Sequence, residues 1–294
     1  MSGWDMVPRA VALSTPAEER RDHGTAGAEL AETSRIRSDG SMNLGSPFLT
    51  RVTLREDRAQ RGRHPFDLPI LEEGLDLAFR TPVTLFVGEN GSGKSTLLEA
   101  IAWSAGFSAR GGGRANSYEE NADGHALGRA LLLSWKQKSM DGFFLRAETF
   151  FDFATWLEST GTDFRAYGGT SLHSQSHGEA FLSLFGHRFE DGLYILDEPE
   201  AALSPQRQLA FLGILHSLTL PRKAQFLIAT HSPILLAFPG ATVLDLDGGR
   251  IAEVDYRDTE HFRLTKSFLD APERYFRHLF DDRGEGSEGA GGEG

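Results

Sequence analysis

The 294-residue chain contains no cysteine. Disulfides, thiolate metal sites, iron–sulfur clusters and cysteine nucleophiles are therefore excluded. The chain also lacks any run of about 18 uninterrupted apolar residues, the length that crosses a bilayer. Its N-terminal apolar stretch is interrupted by Pro8 and Arg9 and is too short for a signal peptide. We therefore expect no transmembrane segment and a cytoplasmic protein.

Basic residues are fewer than acidic residues in this chain. Lys and Arg number 30 against 42 Asp and Glu, which gives a net charge of −12. This balance argues against a broad nucleic-acid-binding face, but a local basic patch is compatible with it, so direct nucleic-acid binding stays open. The chain is long enough for one large α/β domain or two small ones.

Composition divides the chain into three parts. Residues 1–44 are rich in Ala, Ser, Thr, Gly and charge without periodicity, which predicts a disordered extension; Met42 is an alternative to Met1 as the true start. Residues 45–280 carry the strand and helix patterns and are predicted to form the folded domain. Residues 281–294 combine acids with glycine, which predicts a solvated, disordered tail.

Short apolar runs predict the central strands. Three of them predict strands buried on both faces of a parallel sheet, and they lie at residues 84–87, 193–197 and 226–230. Alternating patterns at 48–54 and 75–79 predict two further strands. Residues 243–254 predict a hairpin that turns at Asp247, Gly248 and Gly249.

Helix signals accompany these strands. A helix-like segment follows residue 94, and Ser204 before Pro205 has the form of an N-cap and first helical residue. The aromatic-rich segment 131–157 predicts helices, with one strand among them.

The run GENGSGKST fits the phosphate-binding pattern G-x-x-x-x-G-K-[ST]. It comprises Gly88, Glu89, Asn90, Gly91, Ser92, Gly93, Lys94, Ser95 and Thr96. Glycines allow backbone amides to converge on phosphate oxygens, and the helix that follows directs its positive dipole end at them. We expect Lys94 to reach the β- and γ-phosphates and the Ser95 hydroxyl to ligate Mg²⁺.

Two acids end the apolar strand LYILDEP, 109 residues after Gly88. We expect Asp197 to hold Mg²⁺ through its water shell and Glu198 to act as general base toward an attacking water. His231 follows the next strand, in ATHSP, where it can reach a γ-phosphate. Ser232 before Pro233 is also a helix cap by pattern.

The tetrapeptide Ser176-His177-Gly178-Glu179 precedes an apolar, helix-like stretch. Ser-x-x-Glu is a capping box, in which the serine accepts from the third amide and the glutamate reaches back.

Together GENGSGKST, SHGE, LYILDEPEAALSP and ATHSP resemble the ABC class of P-loop ATPases, and more narrowly small stand-alone bacterial ATPases labelled AAA family. The resemblance spans about residues 47–280. It implies an α/β P-loop NTPase fold: an ABC-ATPase-like, RecA-type core with an antiparallel β subdomain and an inserted helical subdomain at about 106–185. SHGE departs from the usual signature, since His177 replaces its first glycine.

The resemblance also implies Mg²⁺-dependent ATP hydrolysis in an ATP-dependent homodimer. Ser176 and Gly178 of one subunit would then complete the partner's site, and hydrolysis would change the shape offered to an unknown protein. The insert is too short for long coiled coils, and heptads are absent.

Two alternatives and two residue assignments stay open. A transporter's nucleotide-binding subunit shares these motifs, and a P-loop kinase acting on a small molecule could use Arg110 and Arg114 as a lid. Gln137 is a candidate Q-loop glutamine. Phe66 is a candidate adenine-stacking ring, although a core position suits it better.

Overall fold

The computed structural model describes residues 45–107, 122–138, 141–150, 177–188 and 191–281. Its strands are β1 (Leu49–Leu54), β2 (Asp76–Ala78), β3 (Val83–Val87), β4 (Leu131–Trp135), β5 (Gly142–Arg146), β6 (Gly192–Asp197), β7 (Ala224–Ala229), β8 (Thr242–Asp245) and β9 (Ala252–Val254). Its helices are α1 (Lys94–Ala105), α2 (Ala122–Ala130), α3 (His177–Arg188), α4 (Pro205–Thr219), α5 (Pro233–Leu236), α6 (Glu260–Asp270) and α7 (Pro272–Asp281).

A six-stranded sheet forms the centre of the fold, in the order β5-β6-β7-β3-β8-β9. Its pairs are parallel except the last, in which β8 and β9 form the predicted antiparallel hairpin. Every residue of β3, β6 and β7 is buried, as the apolar runs predict. Because parallel strands end at one edge, the segments that follow β3, β6 and β7 emerge side by side.

A second, antiparallel sheet has the order β2-β1-β4. A buried glutamine joins it to the central sheet. Gln225 of β7 accepts from the amides of Phe48 and Leu49 at 2.8 Å each and donates to Leu49 O at 2.9 Å. These bonds satisfy the polar side chain inside an apolar core, so they fix β1 against β7.

Helices cover the faces of the central sheet. Ser204 caps α4 as predicted, since its hydroxyl accepts from the Arg207 amide. Phe181 and Phe185 of α3 pack against Phe211 of α4, with ring centroids 6.1 and 5.0 Å apart. This aromatic cluster attaches α3 to the core beside the strand that carries the two acids.

In the described part of 131–157, residues 131–138 and 141–150, the prediction of helices with one strand is wrong. The segment contains β4 in the antiparallel sheet and β5 at the edge of the central sheet. GFFLR is a short continuous apolar run, as expected of a strand buried on both faces, and its Phe143, Phe144 and Leu145 are all buried. Residues 147–149 of the segment form a single 3-10 turn.

Phe66 is buried in the core that contains β1 and α1, so the core interpretation of this ring fits its position. The predicted extension, most of the insert and the tail after residue 281 lie outside the described ranges. None of the helices in those ranges combines the length and the apolar character that crossing a membrane demands.

Candidate functional site

The loop between β3 and α1 bends through glycines that adopt left-handed backbone angles. Gly91 and Gly93 have φ of 85° and 98°, where other residues are strained. Gly93 caps the N-terminus of α1, and a Cβ added there would lie 2.9 Å from Ile70 Cδ1. The loop therefore wraps the start of a 12-residue helix, where amides and the helix dipole favour an anion.

The remaining residues of the loop divide by exposure. Glu89, Asn90 and Gly91 are exposed at its tip, whereas Ser92, Ser95 and Thr96 are half-buried. Lys94 is buried in the first turn of α1.

Lys94 folds back over this loop. Its Nζ donates to the carbonyl oxygens of Gly88 at 2.6 Å and Glu89 at 2.8 Å. Burial lowers the pKa of Lys94, and the nearby carboxylates of Glu198, Asp247, Asp197 and Glu200 oppose that shift. The loop thus holds the desolvated ammonium group of Lys94 over its own glycines. From this position the ammonium group can bind phosphate oxygens.

The two predicted magnesium ligands lie together. Ser95 Oγ donates to Asp197 Oδ1 at 3.0 Å, although 102 residues separate them in the chain. A hydroxyl that ligates Mg²⁺ directly and a carboxylate that accepts from a water on the ion are oxygen donors of the kind Mg²⁺ prefers. This pair of hard oxygen donors therefore fits Mg²⁺. Burial raises the pKa of Asp197, whereas Arg146 and the Ser95 hydroxyl oppose that rise.

Arg146 was not among the predicted site residues. It ends β5 in register with Asp197 on β6, its Nε lies 3.2 Å from Asp197 Oδ2, and its NH1 lies 3.4 Å from Glu99 Oε2. Gln137, the candidate Q-loop glutamine, follows β4 in the antiparallel sheet. The side chain that contacts Asp197 from the adjacent strand β5 is Arg146. Reading GFFLR as a strand would have placed Arg146 at this edge.

Glu198 and His231 meet just beyond the ends of β6 and β7. His231 Nε2 lies 3.2 Å from Glu198 Oε1. Glu198 has φ 50° and ψ 52°, a left-handed conformation that is uncommon outside glycine and that clusters at functional sites. Burial and the charge of Lys94 lower the pKa of His231, and Glu198 opposes them. The predicted base and the predicted phosphate-sensing histidine are therefore neighbours.

Three further residues near this edge carry polar contacts that the motifs did not predict. Glu200 Oε1 accepts from the His231 amide at 2.5 Å, and burial raises the pKa of Glu200. Asp247, in the β8–β9 turn, accepts from the Glu89 amide at 2.8 Å. The Nε2 atom of His261, on α6, lies 2.8 Å from His231 Nδ1. Glu200 belongs to the quoted DEPEAALSP run, but no pattern in the sequence marks His261.

Part of the SHGE element lies outside the described residues, because Ser176 falls there. Gly178 is buried where α3 meets the start of α4, and a Cβ added there would lie 2.6 Å from Arg207 Cδ and 3.1 Å from Ala202 O. Glu179 pairs with Arg207 at 3.1 Å. Gly178 thus allows the first turn of α3 to approach the segment that follows Glu198.

Two family models match the chain. Residues 65–131 match a model described as "AAA domain". Residues 170–237 match one described as "AAA domain, putative AbiEii toxin, Type IV TA system". The first covers the phosphate loop with α1, and the second covers both acids with His231. The chain has a P-loop NTPase fold. Both models agree with the predicted resemblance to P-loop ATPases labelled AAA family, and the predicted fold class is confirmed for this P-loop NTPase.

Three solved structures resemble the chain at low sequence identity. The SMC head domain from Thermotoga maritima is 17% identical, covers 71% of this chain and 98% of that one, and has a TM-score of 0.40. CbiO1 from Clostridium perfringens, part of the ABC transporter complex CbiONQ, is 16% identical, covers 79% and 99%, and has a TM-score of 0.41. MJ1267, an ATP-binding cassette of an ABC transporter, is 16% identical, covers 78% and 99%, and has a TM-score of 0.43. No curated protein matches the chain.

Proposed function

We propose that this P-loop NTPase binds Mg–ATP and hydrolyses it to ADP and phosphate. The supporting observation is the meeting of three pairs of groups at one sheet edge. Lys94 lies over the phosphate loop, Ser95 bonds to Asp197, and Glu198 contacts His231. A cation for phosphate, oxygens for Mg²⁺ and a carboxylate for water are the parts that phosphoryl transfer to water requires.

Each group has a distinct role in this proposal. Lys94 exchanges its loop carbonyls for phosphate oxygens, and the α1 amides bind the same anion. Asp197 and Ser95 hold Mg²⁺, which when bound neutralises charge on the phosphates. Glu198 takes the proton of the attacking water, and the His231 N–H donates to the γ-phosphate.

The same contacts favour an ATPase over a kinase. A kinase transfers phosphate to a hydroxyl that a separate pocket holds, whereas here the carboxylate next to Asp197 is paired with His231. This pair is positioned to orient a small acceptor such as water. A transporter subunit would share this hydrolytic site, so hydrolysis alone does not name the partner.

The test is ATP turnover in wild type and Glu198→Gln. Glutamine preserves the shape of the side chain but cannot accept a proton, so we expect kcat to fall at least ~100-fold while ATP still binds. The matched control is Glu73→Gln, the same change at an exposed position, with turnover equal to wild type. Equal turnover in Glu198→Gln and wild type would refute Glu198 as the base.

We further propose that hydrolysis occurs in a head-to-tail homodimer with two bound nucleotides. Ser176 and Gly178 of each subunit would face the γ-phosphate bound by the other, and loss of that phosphate would change the shape offered to a partner protein. The solution mass of Glu198→Gln should double with Mg–ATP, and adding Ser176→Arg should abolish the doubling. A monomeric mass with bound ATP would refute the proposed dimer and leave SHGE with the role of a helix cap only.

A further inference from the structure

His261 begins the C-terminal helical part of the described chain and reaches the site from outside the motifs. It lies in the first turn of α6, whose N-cap Thr259 is fully buried. Thr259 Oγ1 accepts from the Phe262 amide and donates to Tyr256 O at 2.7 Å. This anchored cap fixes the start of α6, and with it the position of the His261 ring beside His231.

His261, His231 and Glu198 form one continuous hydrogen-bonded series. His261 Nε2 lies 2.8 Å from His231 Nδ1, and His231 Nε2 lies 3.2 Å from Glu198 Oε1. The remaining ring nitrogen, His261 Nδ1, is buried and has no hydrogen-bond partner among the residues that the structure describes. The position of the protons in this hydrogen-bonded series decides which nitrogen of His231 donates and which accepts.

Only one neutral arrangement satisfies both hydrogen bonds and leaves no unpaired N–H among these nitrogens. An ionised Glu198 accepts and therefore requires a proton on His231 Nε2. Neutral His231 then has a bare Nδ1, so His261 must donate from Nε2. His261 Nδ1 is left as a bare acceptor, and a buried acceptor without a partner is tolerated better than a buried N–H without one.

The other arrangements are worse. If His231 carried its proton on Nδ1, it would turn a lone pair toward the Glu198 carboxylate and leave a buried N–H on His261. If His231 were doubly protonated, His261 would again hold the buried N–H. The added positive charge would also lie near Lys94, whose charge, with burial, already lowers the pKa of His231.

We propose that His261 is a positioning residue that holds His231 in the tautomer with its proton on Nε2. This inference rests on the proposed ATPase function, in which His231 meets the γ-phosphate. An Nε2–H can donate to an anionic phosphate oxygen, whereas the other tautomer would present a lone pair to it. α6 thereby becomes part of the site through the contact of His261 with His231.

The direct test is the tautomer of His231 in nucleotide-free protein, measured by ¹H–¹⁵N NMR of ¹⁵N-histidine-labelled samples. The His231 signals are assigned from the spectrum of His231→Gln. Wild type should show neutral His231 protonated on Nε2, and His261→Phe should show a mixture of both tautomers. His261→Gln should restore the wild-type pattern, since its amide nitrogen can donate from about the same place. The control His216→Phe changes an exposed histidine of α4 and should leave His231 unaltered.

Turnover supplies the second readout. His261→Phe should lower kcat about tenfold or more with KM for ATP little changed, and His261→Gln should recover most of the loss. Wild-type His231 protonated on Nδ1 would overturn the inference, and so would a His231 tautomer unaffected by His261→Phe. Because the spectra need no nucleotide, an inactive wild type would refute the proposed function and leave the tautomer result standing.

Discussion

Arg146→Met removes the cation that bridges two buried carboxylates. The side chains of Asp197 and Glu99 are 5% and 6% exposed, and that of Arg146 is 25% exposed. Removing one partner of a buried ion pair costs about 3–5 kcal/mol, because the other charge stays buried. Because Arg146 is partly exposed, we expect a cost at the lower end of that range, about 3 kcal/mol. For a domain of this size each kcal/mol lowers Tm by about 2–4 °C, so we expect a fall of about 6–12 °C.

The chain offers a matched control in Arg51→Met. Arg51 also pairs with a carboxylate, Asp76, but these side chains are 53% and 55% exposed. An exposed pair contributes about 0–1 kcal/mol, so Tm should barely move. Scanning calorimetry of the two variants compares the same substitution in ion pairs that differ in burial.

A third variant separates charge from packing. If the loss in Arg146→Met comes from the uncompensated carboxylates, adding Asp197→Asn should recover part of it, since one buried charge is removed. Equal, small losses in Arg146→Met and Arg51→Met would refute the reasoning. A large loss that Asp197→Asn fails to relieve would assign the effect to lost packing of the arginine stem.

Two further predictions concern a carboxylate and a glycine. Burial raises the pKa of Glu200. Wild type therefore loses stability as pH rises from the ordinary glutamate pKa, about 4.3, to the raised pKa of the folded state. Glu200→Gln keeps an acceptor for the His231 amide but does not titrate, so its urea midpoint should gain on that of wild type as pH rises over this interval. A midpoint difference independent of pH would contradict this. Gly93→Ala should cost about 1–3 kcal/mol and weaken ATP binding, since φ is 98° and Ile70 blocks the Cβ. Gly213→Ala, in an exposed turn of α4 with open space, should not destabilise, and equal effects would refute the strain argument.

The nucleotide motifs could be predicted from sequence because each lies at the end of a continuous apolar run. Such runs predict buried parallel strands, and parallel strands deliver their following residues to one edge. Lys94, Asp197 and His231 are therefore brought together by topology that local pattern already indicates. Ser204 and Ser232 are likewise predictable, since a serine before proline is a local capping signal.

Arg146 and His261 could not be predicted in the same way. β5 is an edge strand in an aromatic segment, and its spacing of large side chains is compatible with helix as well as strand. His261 lies 30 residues beyond His231, and its contact depends on how the capped start of α6 packs. Long-range placement of a helix is decided by tertiary packing, which leaves no periodic signal near the residue itself.

The most direct measurement of the central claim is the identity of the nucleotide that Glu198→Gln retains. The protein would be incubated with Mg²⁺ and γ-labelled ATP, separated from free nucleotide, and assayed for intact ATP per chain. Our account predicts about one unhydrolysed ATP per chain in the variant, and ADP or empty protein in wild type. A variant that converts bound ATP to ADP as fast as wild type, or that binds none, would contradict it.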